Sequence, residues 1–152
     1  MHRPSSRVVL LSLATVLTVA FSGALLRADA PSASPVAEIK DLMNAFNHKA
    51  YGFFGLVKAT LKTEPQANDW KVAAYRATAM AECGNLLMGL TPPRGADDAA
   101  GKTTWATHAA AFRDCAKELA KQLKLKKLAE AQAQVAEVEK RCEECHTDHQ
   151  LE

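Results

Sequence analysis

Two cysteines stand two residues apart near the end of the chain, with a histidine directly after the second: Cys142-Glu143-Glu144-Cys145-His146. Residues of these types at this spacing support three kinds of chemistry. Thiolates and an imidazole can ligate zinc, a C-x-x-C pair can cycle between dithiol and disulfide, and C-x-x-C-H is the attachment signature of c-type haem. For haem the spacing has a direct cause. Each sulfur adds to one vinyl group of the porphyrin, so both must meet the same ring edge from one turn of backbone. The histidine is then positioned to ligate the iron from the face the polypeptide covers.

The rival chemistries find less support. A zinc site wants four ligands, and the only other cysteines, Cys83 and Cys115, lie in different segments, with His149 a further candidate. A thioredoxin-like pair belongs beside a βαβ pattern, which is absent. A local Cys142–Cys145 disulfide would cross-link very little chain. No paired carboxylates, Gly-rich phosphate loop or nucleophile constellation stands out, so a non-enzymatic role is expected.

Compartment bears on the same choice. Arg3 and Arg7 precede the 19-residue apolar run Val8 to Leu26, and Ala28-Asp29-Ala30 offers small residues where a signal peptidase cuts. Residues 1–30 are expected to be a cleaved export signal. The run is also long enough to span a bilayer, so an uncleaved anchor, the one route to a membrane, stays open. Either way the remainder is exported, periplasmic in a bacterial setting, and c-type haem is attached outside the cytoplasm. The chain carries 19 Lys+Arg and 17 Asp+Glu. Losing Arg3, Arg7, Arg27 and Asp29 with the signal leaves 16 of each. That balance gives no basic face for nucleic acid, and the lysines from Lys117 to Lys127 read as a solvated helix face.

The elements that must position the motif are helical. Residues 31–35 (PSASP) read as a flexible leader and 36–152 as one domain. Ala, Leu, Lys, Glu and Gln dominate that domain and favour helix. Apolar residues recur at steps of three and four in four stripes. The first runs Ile39, Met43, Phe46, Ala50, Phe53, Val57, Leu61, and the second Trp70, Ala73, Ala77, Met80, Gly84, Leu87. The third is Trp105, Ala109, Phe112, Ala116, Leu119, Leu123, and the fourth Leu128, Ala131, Val135, Val138, Cys142, Cys145. Thr63-Glu64-Pro65-Gln66 predicts a helix start with Thr63 as cap and Gln66 at the capping-box position. Thr91 to Gly101 predicts a loop. An unbroken helix from Thr103 to His149 would run about 70 Å, so a turn is expected near Leu123 to Lys126. The result is an all-α, antiparallel, up-down-up-down four-helix bundle.

An exported bundle of this size with C-x-x-C-H at its C-terminal end resembles the cytochrome c′ family, the class II c-type cytochromes. The likeness covers the chain from about Val36 to His149. It rests on the position of CEECH, on the first-helix segment EIKDLMNAFNHKAYGFFG, and on FRDCAKELAKQLKLKKLAEAQAQVAEVEKRCEECH. No Met follows His146, which separates the chain from the class I arrangement. The resemblance implies one covalent haem c, redox partner proteins and dimerisation through the first two helices. The sequence departs from the family's pattern at His149 and Gln150, where an aromatic and then a basic residue commonly stand. It departs again at Ile39, where an Arg is often found.

Bundle geometry brings Met43, His48, Met80, Met88 and His108 toward the end that carries the motif. Met43 lies on the inward stripe between Ile39 and Phe46, His48 falls off it, and His108 could reach the pocket rim. Met43 is therefore the expected distal residue and sixth ligand opposite His146, with Phe46 among the apolar walls together with Phe53, Trp70, Trp105 and Phe112. Met/His coordination would make electron transfer the function. If Met43 only packs over an open iron face, a small gas such as nitric oxide would bind instead. Cys83 and Cys115 are offset by roughly 8 Å along the bundle, which leaves both a disulfide and two buried thiols open. A haem adds apolar core to a small bundle; the apo-protein is expected to be partly unfolded, seen as lost helical signal in circular dichroism.

Overall fold

Helix-forming composition becomes helix throughout. The computed structural model describes residues 37–90 and 99–149, and among them every regular element is helical and none is a strand. The expected export segment and leader, residues 91–98 of the expected loop, and Gln150 lie outside the described residues. Helix α1 (Ile39–Leu42) continues into a π-helical turn, Met43–Asn47; α2 is Phe53–Thr60, α3 Ala67–Met88, α4 Ala99–Lys124 and α5 Leu128–Asp148. No helix among the described residues is long and apolar enough to cross a membrane.

The first stripe is not one helix. It breaks between Asn47 and Phe53, where the chain turns on its own backbone. A Cβ on Gly52 would lie 2.5 Å from the His48 nitrogen, and one on Gly55 would lie 2.2 Å from the Lys49 carbonyl oxygen. Only glycine permits that approach. The His48 Nδ1 accepts the Ala50 N–H at 3.2 Å, and Gly52 N–H donates to the His48 carbonyl at 3.0 Å. The break changes which residues face inward. Leu42 and Phe54 are buried, Ala50 is exposed, and Met43, Phe46 and Phe53 are half-buried.

Helix α3 starts three residues later than its Thr63 signal predicts. Gln66 is the cap, and its N–H donates to the Asp69 carboxylate at 3.1 Å. The second and third stripes are buried along their whole length. Their small residues let α3 and α4 approach closely: a Cβ on Gly84 would meet the Arg113 Cβ at 2.7 Å. Trp105 closes one end of this contact, donating from Nε1 to the Leu87 carbonyl at 2.8 Å.

Between α4 and α5 the chain reverses in three residues without Gly or Pro. Lys127 N–H donates to the Gln122 carbonyl and Lys126 N–H to that of Leu123, both at 3.1 Å, with Lys126 at φ 56°. This is a Schellman C-cap with lysine in the left-handed position that glycine usually fills. Helix α5 then returns along α4, with Gln134 donating to the Cys115 carbonyl at 3.3 Å. Helix α2 is tied to α5 by the Lys58–Glu139 ion pair (2.7 Å) and by Gln132 Nε2 donating to the Leu61 carbonyl (2.8 Å).

A left-handed lysine costs roughly 1–2 kcal/mol, part of which glycine returns as lost unfolded-state freedom. Lys126→Gly should therefore raise the unfolding free energy by about 0.5–1 kcal/mol, measured as a higher urea midpoint at unchanged slope.

Candidate haem-attachment site

The last turns of α5 continue its buried face. Ala131, Val135 and Val138 are in the core, and Cys142 and Cys145 follow at the same three- and four-residue steps. Both thiols are half-buried against that core. Burial pushes the Cys142 thiol up to about 12, with nearby Cys145 and glutamates adding to it, and pushes Cys145 up to about 11. In the metal-free chain burial thus favours the protonated form of both thiols. Among the described residues no group of three or more His, Cys, Asp or Glu is arranged to hold a metal ion.

His146 lies one residue past the stripe, about 100° around the helix, and is exposed, its side chain making no hydrogen bond to another described residue. Cys142, Cys145 and His146 line a cleft of about 760 Å³, solvent included. The opposite wall comes from the first segment: Met43 and Asn47 on the π-helical turn, Lys49, and Phe54 on α2. Leu87 of α3, Trp105, His108, Ala109 and Phe112 of α4, and Glu139, Arg141 and Glu143 of α5 complete the lining. A single cleft thus gathers Met43 with the three C-x-x-C-H residues, and its walls are mostly apolar.

Phe46 is not part of that lining. Its ring meets Phe53 edge-to-face with centroids 5.2 Å apart, and the neighbouring Phe54 faces the cleft instead. Met80 is fully buried core filler. Met88 lies under Arg113, whose Nη1 is 3.9 Å from its sulfur. His48 stacks on Tyr51 at 3.6 Å. Cys83 is fully buried and Cys115 half-buried, and neither is bridged. Burial pushes the Cys83 thiol up to about 12.

Among the described residues, two of the four Lys, Arg and Glu side chains that line the cleft are paired. Arg141 bonds Glu144 at 2.7 Å and Glu139 is held by Lys58. Lys49 has no carboxylate partner among the described residues. Asn47 donates from Nδ2 to the Met43 sulfur at 3.1 Å, and its Oδ1 is buried without a partner. The spacing of four between Met43 and Asn47 was the available signal, since such residues share a helix face.

His149 is the residue whose placement its type least suggests. It is 4% exposed, and both ring nitrogens are buried without a hydrogen-bond partner. Its ring lies edge-on to Trp105 (5.4 Å) and to His108 (5.7 Å), which itself bonds the Asp148 carboxylate at 2.8 Å. Register is the signal: His149 falls four residues after Cys145, on the stripe. The chain matches no family model, no curated protein and no solved structure.

Burial first, and then the neighbouring His108, hold the His149 imidazole below the usual histidine range, against the pull of Asp148. A depressed histidine means that the unfolded chain binds the extra proton first. Its contribution to stability is full above about pH 6.5 and is lost as pH falls toward the depressed folded value. His149→Phe keeps an aromatic ring and removes the titration. It should flatten the fall of the thermal midpoint between pH 7 and 5, read by circular dichroism melts.

Proposed function

We propose that this chain is an exported c-type cytochrome of the cytochrome c′ type, an electron carrier built on an antiparallel four-helix bundle. In this reading α1, the π-helical turn and α2 together form the first of the four helices, interrupted at His48–Gly52. Cys142 and Cys145 would hold one haem through thioether bonds, His146 would ligate its iron and Met43 would ligate the opposite face. The group would supply one-electron cycling between ferric and ferrous iron. The observation that carries the reading is the cleft itself. Met43, from the start of the described chain, and the C-x-x-C-H residues, from its end, line one mostly apolar cleft.

The residues around the cavity have definable tasks. Phe54, Leu87, Trp105 and Phe112 exclude water from the bound ring, which limits solvent reorganisation when the charge changes. Lys49 is available to the cofactor's carboxylates. His146 needs no rearrangement of existing hydrogen bonds to become a ligand. The protonated thiols resist side oxidation before attachment. A redox partner protein gives or takes the electron at the open side of the cleft, and export rests on residues 1–30.

Protein made in a host with haem-attachment machinery should give a pyridine haemochrome spectrum that survives denaturation, and a Cys142→Ala/Cys145→Ala double variant should be colourless. A colourless wild-type protein that binds zinc would sink the reading. The ferric protein should show a Met-to-iron charge-transfer band that Met43→Ala abolishes. A high-spin ferric wild type would instead make the cleft a site for a small gas ligand.

A further inference from the structure

Asn47 occupies a costly position. Its Nδ2 donates to the Met43 sulfur at 3.1 Å, while its Oδ1, part of the same amide, is buried with no partner. A thioether is a weak acceptor, so this bond alone is poor compensation for a carbonyl left unsatisfied in the interior. Both residues sit on the π-helical turn Met43–Asn47 and both line the cleft. π-turns recur at functional sites, and buried groups left unsatisfied call for an explanation.

From this geometry we infer that Asn47 is a positioning residue for Met43: its amide fixes the thioether toward the cleft and tunes it as a ligand. The inference rests on the proposed haem site and adds a second residue to its distal side. The sulfur has two lone pairs. One is engaged by the Asn47 N–H, which leaves the other for the iron. Donation from Asn47 draws electron density off the sulfur and makes it a weaker donor to ferric iron, the more electron-poor state. Hydrogen bonds one step beyond the metal are an established means of setting such properties. Asn47 therefore favours the reduced protein.

The test is Asn47→Leu, close in size and without polar atoms, in the haem-loaded protein. A structural role predicts a less stable variant with unchanged redox behaviour. The positioning role predicts the reverse. Removing an amide with an unsatisfied carbonyl leaves the melting midpoint unchanged or raised. The equilibrium constant for reduction falls about fivefold, the size of one ordinary hydrogen bond, which is about 40 mV at ~59 mV per tenfold for one electron. Potentiometry with the pyridine haemochrome as loading control separates the outcomes. No covalent haem in the wild type overturns the haem reading. Covalent haem with a high-spin ferric spectrum leaves attachment standing and overturns the role of Asn47. A lowered melting midpoint, or a potential in Asn47→Leu equal to that of the wild type, also overturns it.

Discussion

The register of α5 is the constraint on which the rest depends. Ala131, Val135, Val138, Cys142, Cys145 and His149 follow one another at steps of four and three, so they share one helix face. Burial of the first three in the core fixes the rotation of the helix. Once that rotation is fixed, the thiols are aimed with it, and His149 is carried into the interior beside Trp105. His146 escapes because it is one residue out of step. A helix turned by a single position would bury His146 and expose the cysteines. Site and core are thus specified by the same packing.

The two walls of the cleft differ in how firmly they are built. The wall carrying the cysteines belongs to a 21-residue helix packed along α4, itself 26 residues long and packed closely on α3. The facing wall is assembled from a four-residue helix, a five-residue π-helical turn and an eight-residue helix. Helices this short do not hold themselves. Their order comes from tertiary anchors: Phe54, Val57 and Leu61 in the core, and the Lys58–Glu139 and Gln132–Leu61 links to α5. The arrangement sets a wall of long, mutually packed helices against one of short elements held by tertiary anchors, across a single cleft.

Much of this was legible in the sequence, and the unread parts have physical causes. The stripes of α3 and α4 read directly because nothing interrupts their period from Trp70 to Leu87 or from Trp105 to Leu123. The α4–α5 turn had no glycine or proline to mark it, and bundle length alone required it; a lysine in the left-handed region supplies it. The break at His48–Gly52 was illegible because it depends on backbone meeting backbone, which two glycines allow but do not announce. That break shifted the phase of the segment, so Phe54 rather than Phe46 came to the cleft. C-x-x-C-H was plain because its chemistry lives in its spacing. Asn47 was hidden because an amide beside a thioether has meaning only when the distance is known.

The burial of the two cysteines also sets a clock. Burial favours the protonated form of both thiols, and the thiolate is the reactive form. Packing against the core slows ionic routes to a Cys142–Cys145 disulfide, while both sulfurs line an open cleft. The fold thus keeps the cysteine pair reachable from the cleft yet slow to react for as long as it stays packed.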